Sequence, residues 1–221
     1  MYNAIYRQYR PTDFDNVVGQ ERVITILKNQ LKNDQVGHAY IFTGSRGTGK
    51  TTVAKIFAKA VNCEKLQTYS PCNKCQTCTD EALMSVVEFD AASNNSVEQI
   101  KEIISKVHLV PTKAKYRVYI IDEVHMLSTG AFNALLKTLE EPPKHVKFIL
   151  ATTEPHKLPI TILSRCQRFD FKAIDKGKIV DNLKSICEKC NYEFDEAAME
   201  LIAELSEGAM RDALSILERC L

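Results

Sequence analysis

The sequence has almost no net charge and no long apolar run, and these two absences narrow what the protein can be. Its 221 residues include 29 Lys and Arg and 28 Asp and Glu, which leaves a formal net charge of +1. A chain with so little net charge has no general attraction for nucleic acid, so any DNA contact has to be local. No apolar run approaches the ~20 residues that span a membrane, and the first residues lack the apolar core of a signal peptide. We therefore expect a cytoplasmic protein that has no membrane partner.

Short apolar segments alternate with helical patterns over the first part of the chain. Segments rich in β-branched and aromatic residues lie at 39–44, 85–91, 117–122 and 146–153, with a weaker one at 165–171. Their apolar character is typical of buried parallel strands. Helical patterns lie between them at 50–61, 96–107 and 129–141. This alternation predicts an α/β fold with a parallel five-stranded sheet flanked by helices.

The strand signals stop at about Lys172, and three amphipathic helical patterns follow. They cover 175–190, 195–207 and 210–221. We therefore predict a large α/β domain over 1–171 and a small helical domain over 172–221. The last pattern runs to the final residue without a Gly, Asn or Pro to end it, so we expect the helical domain to be truncated.

The stretch GSRGTGKT, from Gly44 to Thr51, matches the phosphate-binding pattern G-x-x-x-x-G-K-[ST]. It follows a predicted strand and begins a predicted helix, so backbone N–H groups can surround phosphates at the helix N-terminus. The Lys50 ammonium can reach the β- and γ-phosphates, and the Thr51 hydroxyl can bind Mg²⁺. The predicted nucleotide-binding set here is Gly44, Ser45, Arg46, Gly47, Thr48, Gly49, Lys50, Thr51 and Thr52.

A second apolar strand supplies the other half of an ATP site. The stretch RVYIIDEVH ends its apolar run at Asp122 and Glu123. At the end of a buried strand, Asp122 can hold the Mg²⁺ that bridges the nucleotide phosphates. Glu123 is suited to polarise an attacking water. The two motifs together therefore predict ATP hydrolysis.

Four of the eight cysteines follow the phosphate loop closely, in the pattern C-x₈-C-x₂-C-x₂-C. They are Cys63, Cys72, Cys75 and Cys78. This spacing can place four thiolates around one Zn²⁺ and leaves no open position for a reacting water, so we predict a structural zinc module over about 63–80. An iron–sulfur cluster is the alternative that the ligand type leaves open, and disulfides are disfavoured in a reducing compartment. The remaining cysteines, Cys166, Cys187, Cys190 and Cys220, are predicted to be packed thiols.

Five stretches together resemble the AAA+ ATPases, and most closely the gamma/tau-type clamp-loader subunits of bacterial DNA polymerase III. They are YRPTDFDNVVGQE, GSRGTGKTT, IIDEVHML, FILATTEPHKLPITILSRC and GAMRDALS. The resemblance implies an AAA+ P-loop domain that contains the zinc module, followed by a helical lid domain. It implies ATP, Mg²⁺ and structural Zn²⁺ as cofactors. It also implies other clamp-loader subunits, copies of the same subunit, the sliding clamp and primed DNA as partners.

The resemblance extends to residues outside the two nucleotide motifs. In the family, the stretch with RP and VVGQ lines the adenine pocket, which implies Arg10, Pro11, Val17 and Val18. The polar residue that reads the γ-phosphate, called sensor 1, aligns with Thr153, and Thr152 is the alternative.

Two arginines also have implied roles. Arg165 corresponds to the finger that enters the ATP site of the neighbouring subunit and neutralises transition-state charge. The residues by themselves favour a strand-edge salt bridge for Arg165. Arg211 starts a predicted helix, where a cation opposes the helix dipole. It aligns with sensor 2, which faces a nucleotide phosphate and couples the lid to the bound nucleotide.

A short polar loop is the best candidate for contact with DNA. It comprises Ser93, Asn94, Asn95 and Ser96, and it leads into a helix N-terminus that can receive a phosphate. In clamp loaders the equivalent stretch faces duplex DNA. The alternative is a capping box between Ser96 and Gln99, and the two roles are compatible.

The function that this resemblance implies is an ATPase motor of the DNA polymerase III clamp loader. ATP binding and hydrolysis would open the sliding clamp and load it onto primed DNA. The alternative is a nucleotide-binding structural subunit without its own turnover, which the presence of Lys50, Thr51, Asp122 and Glu123 disfavours. The zinc quartet disfavours a branch-migration helicase. A zinc-based nucleic-acid module would need more basic residues near the cysteines than Lys65 and Lys74.

Overall fold

The computed structural model describes residues 4–80, 85–94 and 96–221. Its strands are β1 (Ala39–Thr43), β2 (Val86–Asp90), β3 (Arg117–Asp122), β4 (Val146–Thr152) and β5 (Gln167–Asp170). They form a parallel five-stranded sheet in the order β2-β3-β4-β1-β5. The carboxyl ends of parallel strands share one edge of a sheet, so the residues that follow β1, β3 and β4 lie near one another. The predicted parallel α/β sheet is confirmed.

Strand β2 differs from the prediction that it would be buried. Among the described residues it pairs with β3 alone and forms one edge of the sheet, and its side chains are partly or largely exposed. Strands β1 and β4, in contrast, are buried at every position. Because strand order decides which strand has a neighbour on each side, the apolar character of 85–91 alone could not reveal the edge position.

The helices cover both faces of the sheet and form the C-terminal region. They are α1 (Ile5–Gln8), α2 (Glu21–Lys32), α3 (Lys50–Asn62), α4 (Gln76–Thr79), α5 (Val97–Val107), α6 (Thr129–Glu140), α7 (Ile160–Leu163), α8 (Lys176–Cys190), α9 (Glu196–Leu205) and α10 (Met210–Cys220). Short 3₁₀ turns follow β3 at Val124–Met126 and β4 at Pro155–Lys157. Within the described ranges, none of these helices is long and apolar enough to cross a bilayer.

Two apolar clusters sandwich the sheet. On one face, Leu27 of α2 and Phe57 of α3 are buried with Tyr40 of β1. On the other face, Ile100 of α5 and Leu135 of α6 are buried with residues of β3 and β4. Each of these helices therefore presents one apolar side to the sheet, as its sequence pattern predicts.

A third cluster holds the three C-terminal helices together and includes part of the N-terminal segment. Leu183 of α8, Ile202 of α9 and Leu217 of α10 are buried at its centre, and Ile5 packs against it. The Ile5 backbone N–H donates a hydrogen bond of 2.9 Å to Glu218 Oε1. The first helix, α1, thus packs on the C-terminal helices.

Candidate functional site

The phosphate loop turns tightly between β1 and α3. Gly49 precedes α3 with a φ of 100°, and Gly47 has a φ of 78°, both in the left-handed region that favours glycine. A Cβ at Gly47 would lie 2.7 Å from the Cβ of Ala209, just before α10. The loop therefore touches the helical region directly. The first N–H groups of α3 have no partners within the helix and can receive phosphate oxygens.

The Lys50 ammonium is held against the inside of this loop. It is buried, and its Nζ donates hydrogen bonds of 2.8 Å to the carbonyl oxygens of both Gly44 and Ser45. Burial lowers the pKa of Lys50, whereas the nearby charges of Glu123 and Asp122 raise it. The two loop carbonyl oxygens thus fix the position of the Lys50 ammonium near the two acids.

Thr51 and Asp122 contact each other at the end of β3. The Thr51 hydroxyl donates a hydrogen bond of 2.7 Å to Asp122 Oδ2. Two oxygen ligands on one side suit Mg²⁺, which keeps several waters and takes one or two protein ligands beside phosphates. Sequence reasoning missed a further carboxylate, Asp90, which lies opposite Asp122 at the end of β2 and lines the same cleft.

Glu123 follows Asp122 in an uncommon backbone conformation. Its φ is 47°, in the left-handed region that non-glycine residues rarely adopt. The Thr153 hydroxyl donates to Glu123 Oε2 at 3.2 Å. Thr152 is fully buried and contacts His125 Nδ1 at 3.0 Å. Thr153 is thus the threonine that contacts the acid.

These groups border a cleft of about 1090 Å³ between the phosphate loop, the N-terminal segment and the lid helices. The predicted residues that line it are Arg10, Pro11, Val17, Val18, Arg46, Gly47, Thr48, Gly49, Lys50, Thr51, Thr52, Asp122, Glu123 and Arg211. Of the other predicted site residues, Gly44 and Ser45 accept from Lys50, and Thr153 donates to Glu123. A cavity of this size suits a nucleotide-sized ligand.

Tyr6 and polar residues of α8 also line the cleft, and the sequence did not indicate them. The Arg211 guanidinium lies 4.9 Å from the centroid of the Tyr6 ring, within reach of a cation–π contact. Asn182 and Lys189 of α8 line the opposite part of the cleft. Their pattern in the sequence is that of an ordinary amphipathic helix, so only the packing of α8 reveals them.

Gln20 joins three parts of the site and was also missed. It is buried, and its Nε2 donates to the carbonyl oxygens of Thr48 at 3.2 Å and Lys172 at 2.8 Å. Its Oε1 accepts from the Lys172 N–H at 3.3 Å. One amide therefore connects α2, the phosphate loop and the segment that enters the lid helices.

Arg165 lies between α7 and β5 and is absent from the residues that line this cleft. Its Nη2 pairs with Glu140 Oε1 at 2.7 Å, and its Nη1 donates to the Thr161 carbonyl at 2.8 Å. The side chains of Arg165 and Glu140 are 34% and 47% exposed. Such a solvated pair contributes at most ~1 kcal/mol, so another partner can displace it.

The four cysteines of the predicted module come together. Their Sγ atoms all lie within 4.8 Å of one another, and Cys63–Cys75 and Cys72–Cys78 are each 4.0 Å apart. Zn–S bonds of ~2.3 Å place the sulfur atoms of a tetrahedral site about 3.8 Å apart. The cluster therefore fits one zinc ion.

The surroundings of the cluster favour the thiolate form of one of the four cysteines, Cys75. Desolvation acts to raise the pKa of Cys75, but hydrogen bonds with the Thr77 hydroxyl, the Glu64 backbone and the Cys78 and Cys72 thiols outweigh it, and the pKa falls to about 6. The module also touches the N-terminal segment. The Phe14 N–H donates to Ser70 Oγ at 2.9 Å, and Asn73 Nδ2 donates to the Thr12 carbonyl at 3.2 Å.

The prediction of packed thiols for the other cysteines was partly wrong. Cys187 is buried and Cys166 is half-buried, and burial raises the pKa of Cys166 to about 12. Cys190 is half-buried and lies 2.9 Å from the Tyr9 hydroxyl. Cys220 is exposed, because the last turn of α10 extends past Leu217, the last residue of that helix in the buried cluster.

Polar groups of the loop before α5 form hydrogen bonds with nearby residues of the same chain. Ser93 Oγ donates to Asp90 Oδ2 at 2.9 Å, and the Asn94 N–H donates to the Asp90 carbonyl at 3.0 Å. Ser96 and Gln99 form the expected capping box. Asn95 lies outside the described residues. The contact of Ser93, Asn94 and Ser96 with DNA stays a prediction.

Two family models match the chain. Residues 19–175 match the model described as DNA polymerase III, delta subunit, and residues 178–220 match that of the DNA polymerase III clamp loader subunit, ATPase lid domain. DNA polymerase III subunit tau of Bacillus subtilis is 55% identical over 223 aligned residues, which cover 100% of this chain and 40% of that protein. Its counterpart in Escherichia coli is 46% identical, over 100% of this chain and 35% of that protein. The chain thus spans well under half the length of these relatives.

Solved structures with the same fold include the RuvB Holliday junction branch migration motor of Thermotoga maritima. It superposes with a TM-score of 0.70 at 22% identity, over 96% of this chain and 64% of that one. At that identity the likeness shows the fold alone.

Proposed function

This chain belongs to the DNA polymerase III clamp-loader subunits, and on that basis we propose that it is an ATPase motor subunit. It binds and hydrolyses ATP to open a sliding clamp and load it onto primed DNA. The observation that carries the proposal is the contact between Thr51 and Asp122. It joins the phosphate loop to the acid pair at the edge of a nucleotide-sized cleft.

The residues of the cleft divide the chemistry between them. The N-terminus of α3 and Lys50 bind the phosphates of ATP, which replace the carbonyl oxygens that Lys50 now contacts. Thr51 and Asp122 hold Mg²⁺, which neutralises charge on the phosphates. Glu123 orients the attacking water and polarises it, and Thr153 contributes as sensor 1 through its contact with Glu123. The Arg10 to Val18 segment binds the adenine base of ATP.

Two arginines link hydrolysis to assembly. Arg211 projects from α10 into the cleft and couples the lid domain, residues 172–221, to the nucleotide held by the domain of residues 1–171. Arg165 acts in the ATP site of a neighbouring subunit, where a guanidinium accelerates phosphoryl transfer ~10³–10⁵-fold in related systems. Its exposed pair with Glu140 supports this role, because a solvated pair is easily exchanged.

The four-cysteine cluster holds a structural Zn²⁺ with all four ligands supplied by the chain. The partners are other clamp-loader subunits and copies of this one, the sliding clamp and primed DNA. Ser93 to Ser96 contribute a phosphate contact to that DNA. The protein works in the bacterial cytoplasm, where replication takes place.

The test is ATP turnover by the full-length subunit assembled with its clamp-loader partners, with and without primed DNA. Native subunit is compared with Glu123→Gln, and nucleotide binding is measured on both. We expect DNA to stimulate the native assembly, and Glu123→Gln to bind ATP without turnover or clamp loading. If Glu123→Gln still loads clamps, the chain is a structural nucleotide-binding subunit. If DNA has no effect on native turnover, the motor function is wrong.

A further inference from the structure

The imidazole of His125 lies between two carboxylates beside the proposed catalytic acid. Its Nδ1 is 3.5 Å from Glu123 Oε2 and 3.0 Å from Thr152 Oγ1, and its Nε2 is 3.0 Å from Glu154 Oε2. The side chain is only 6% exposed. Both ring nitrogens therefore face polar partners in a nearly closed environment.

Glu123 is restrained mainly through one oxygen. Oε2 accepts from the Thr153 hydroxyl at 3.2 Å and faces His125 Nδ1. A glutamate side chain has several rotatable bonds, so holding it in one conformation costs conformational entropy. Phosphoryl transfer depends on positioning more than on covalent chemistry, so contacts that fix this carboxylate bear directly on rate.

The ring is itself anchored to a rigid part of the fold. Thr152 is fully buried at the end of β4, and its Oγ1 accepts from the Glu154 N–H at 3.0 Å. Glu154 also pairs with Lys157 at 2.8 Å. His125 thus connects Glu123 to the end of β4 through two partners that other bonds hold in place.

The same turn shares an apolar cluster with the segment that leads to Arg165. Val124 and Leu127, on either side of His125, are buried in one cluster with Leu158 and Ile162. The Arg165 N–H donates to the Ile162 carbonyl at 3.1 Å. The turn that carries His125 and the segment before Arg165 therefore contribute to one buried cluster.

We infer that His125 is a positioning residue for Glu123: it fixes the carboxylate in the orientation that polarises water, with the end of β4 as its support. The inference rests on the proposed function, because it presumes that Glu123 acts on the attacking water. A histidine that only fills space would affect folding stability and leave the turnover rate of the folded protein unchanged.

The test uses two substitutions that preserve different halves of the ring, in the full-length subunit assembled with its clamp-loader partners. His125→Asn keeps an amide near the position of Nδ1, which faces Glu123. His125→Gln places its amide near the position of Nε2, which faces Glu154. We expect His125→Gln to lower kcat about tenfold, the lower end of the ~10–100-fold losses that follow mutation of residues that orient the ligands of metal sites. His125→Asn should retain most of the rate. ATP affinity should be unchanged in both, and kcat is compared per folded molecule, because each change removes a polar contact of a nearly buried side chain.

The matched control is His156→Asn. His156 also lies near Glu154, at 3.9 Å, but its side chain is 73% exposed. The His156→Asn variant should therefore have the turnover rate of the native protein. If His125→Gln also keeps native kcat, or loses activity only in proportion to ATP affinity or folded fraction, the inference is wrong.

A double-mutant cycle separates this inference from the proposed function. In a Glu123→Gln background, His125→Gln should cause no further loss, because both changes remove the same contribution. Single-turnover phosphate release resolves the low residual rates. Additive losses would show that His125 acts independently of Glu123. If Glu123→Gln alone keeps full turnover, the proposed role of Glu123 fails and the inference falls with it. If Glu123→Gln loses turnover but the His125 variants keep full turnover, the proposed function stands and only the inference about His125 is wrong.

Discussion

The Thr51 hydroxyl donates a hydrogen bond of 2.7 Å to the carboxylate of Asp122, although 71 positions separate the two residues in the chain. One residue belongs to the first turn of α3 and the other ends β3. The contact brings the phosphate loop and the acid pair to a single point at the carboxyl edge of the sheet. Parallel α/β sheets bind their ligands at this edge.

Replacing Thr51 by Val should remove Mg²⁺-dependent ATP binding while leaving the chain folded. Val is similar in size but has no hydroxyl, so one proposed Mg²⁺ ligand is lost and Asp122 Oδ2 loses the hydrogen bond from Thr51. We expect nucleotide affinity measured with Mg²⁺ to fall to the level measured with a chelator. Thr51→Ser keeps the hydroxyl and should behave as native. Equal Mg²⁺ dependence in the Val and Ser variants would contradict the assignment.

Loss of the proposed zinc site should destabilise the α/β domain and disturb the cleft. Cys78→Ser removes one of four ligands, and Ser70 and Asn73, inside the module, hold Phe14 and Thr12 of the N-terminal segment. We expect zinc content to fall from one ion per chain to near zero and the melting temperature to drop by more than ~3 °C, since ~1 kcal/mol shifts a chain of this size by ~2–4 °C. Elemental analysis and calorimetry measure both.

Cys220→Ser is the matched control for this experiment. Cys220 is exposed and lies outside the cluster. The zinc content and melting temperature of the Cys220→Ser variant should therefore equal those of the native chain. Native zinc content in Cys78→Ser would exclude the four-thiolate site. Iron in the native protein in place of zinc would favour the iron–sulfur alternative.

The sequence predicted local features of this molecule well and remote contacts poorly. The bounds of β3 and α3 follow from apolar runs and from the glycines and the Lys-Thr pair beside them, so nearby residues decide them. The contacts of Gln20 with Lys172 and of Phe14 with Ser70 join residues 152 and 56 positions apart. Nothing in either local stretch specifies its partner. No local pattern indicates a role for His125 either, since Glu154 and Thr152 reach it only when β4 lies beside β3.

Gln20→Ala should destabilise the protein by ~1–3 kcal/mol, the usual range for leaving a buried polar group without its partner. The substitution removes the donor to the Thr48 and Lys172 carbonyl oxygens. Chemical denaturation should show the loss as a lower midpoint at unchanged slope. Gln35→Ala, at an exposed loop position, should change the free energy of unfolding by less than ~0.5 kcal/mol. If the two variants are equally stable, the hydrogen bonds of the Gln20 amide to Thr48 and Lys172 do not contribute to the free energy of unfolding.

Arg165→Ala should abolish most ATP turnover in the assembled clamp loader and leave the isolated chain unaffected. If Arg165 completes the site of a neighbouring subunit, its loss costs ~10³–10⁵ in rate only where such a neighbour exists, and the isolated chain should turn over ATP slowly with or without it. Glu140→Gln is the decisive control, because it removes the ion pair seen in the single chain but keeps the guanidinium. It should retain turnover and, with one less competitor for Arg165, the DNA-stimulated rate should not fall. If Glu140→Gln is as inactive as Arg165→Ala, the ion pair is the functional unit and Arg165 serves its own subunit.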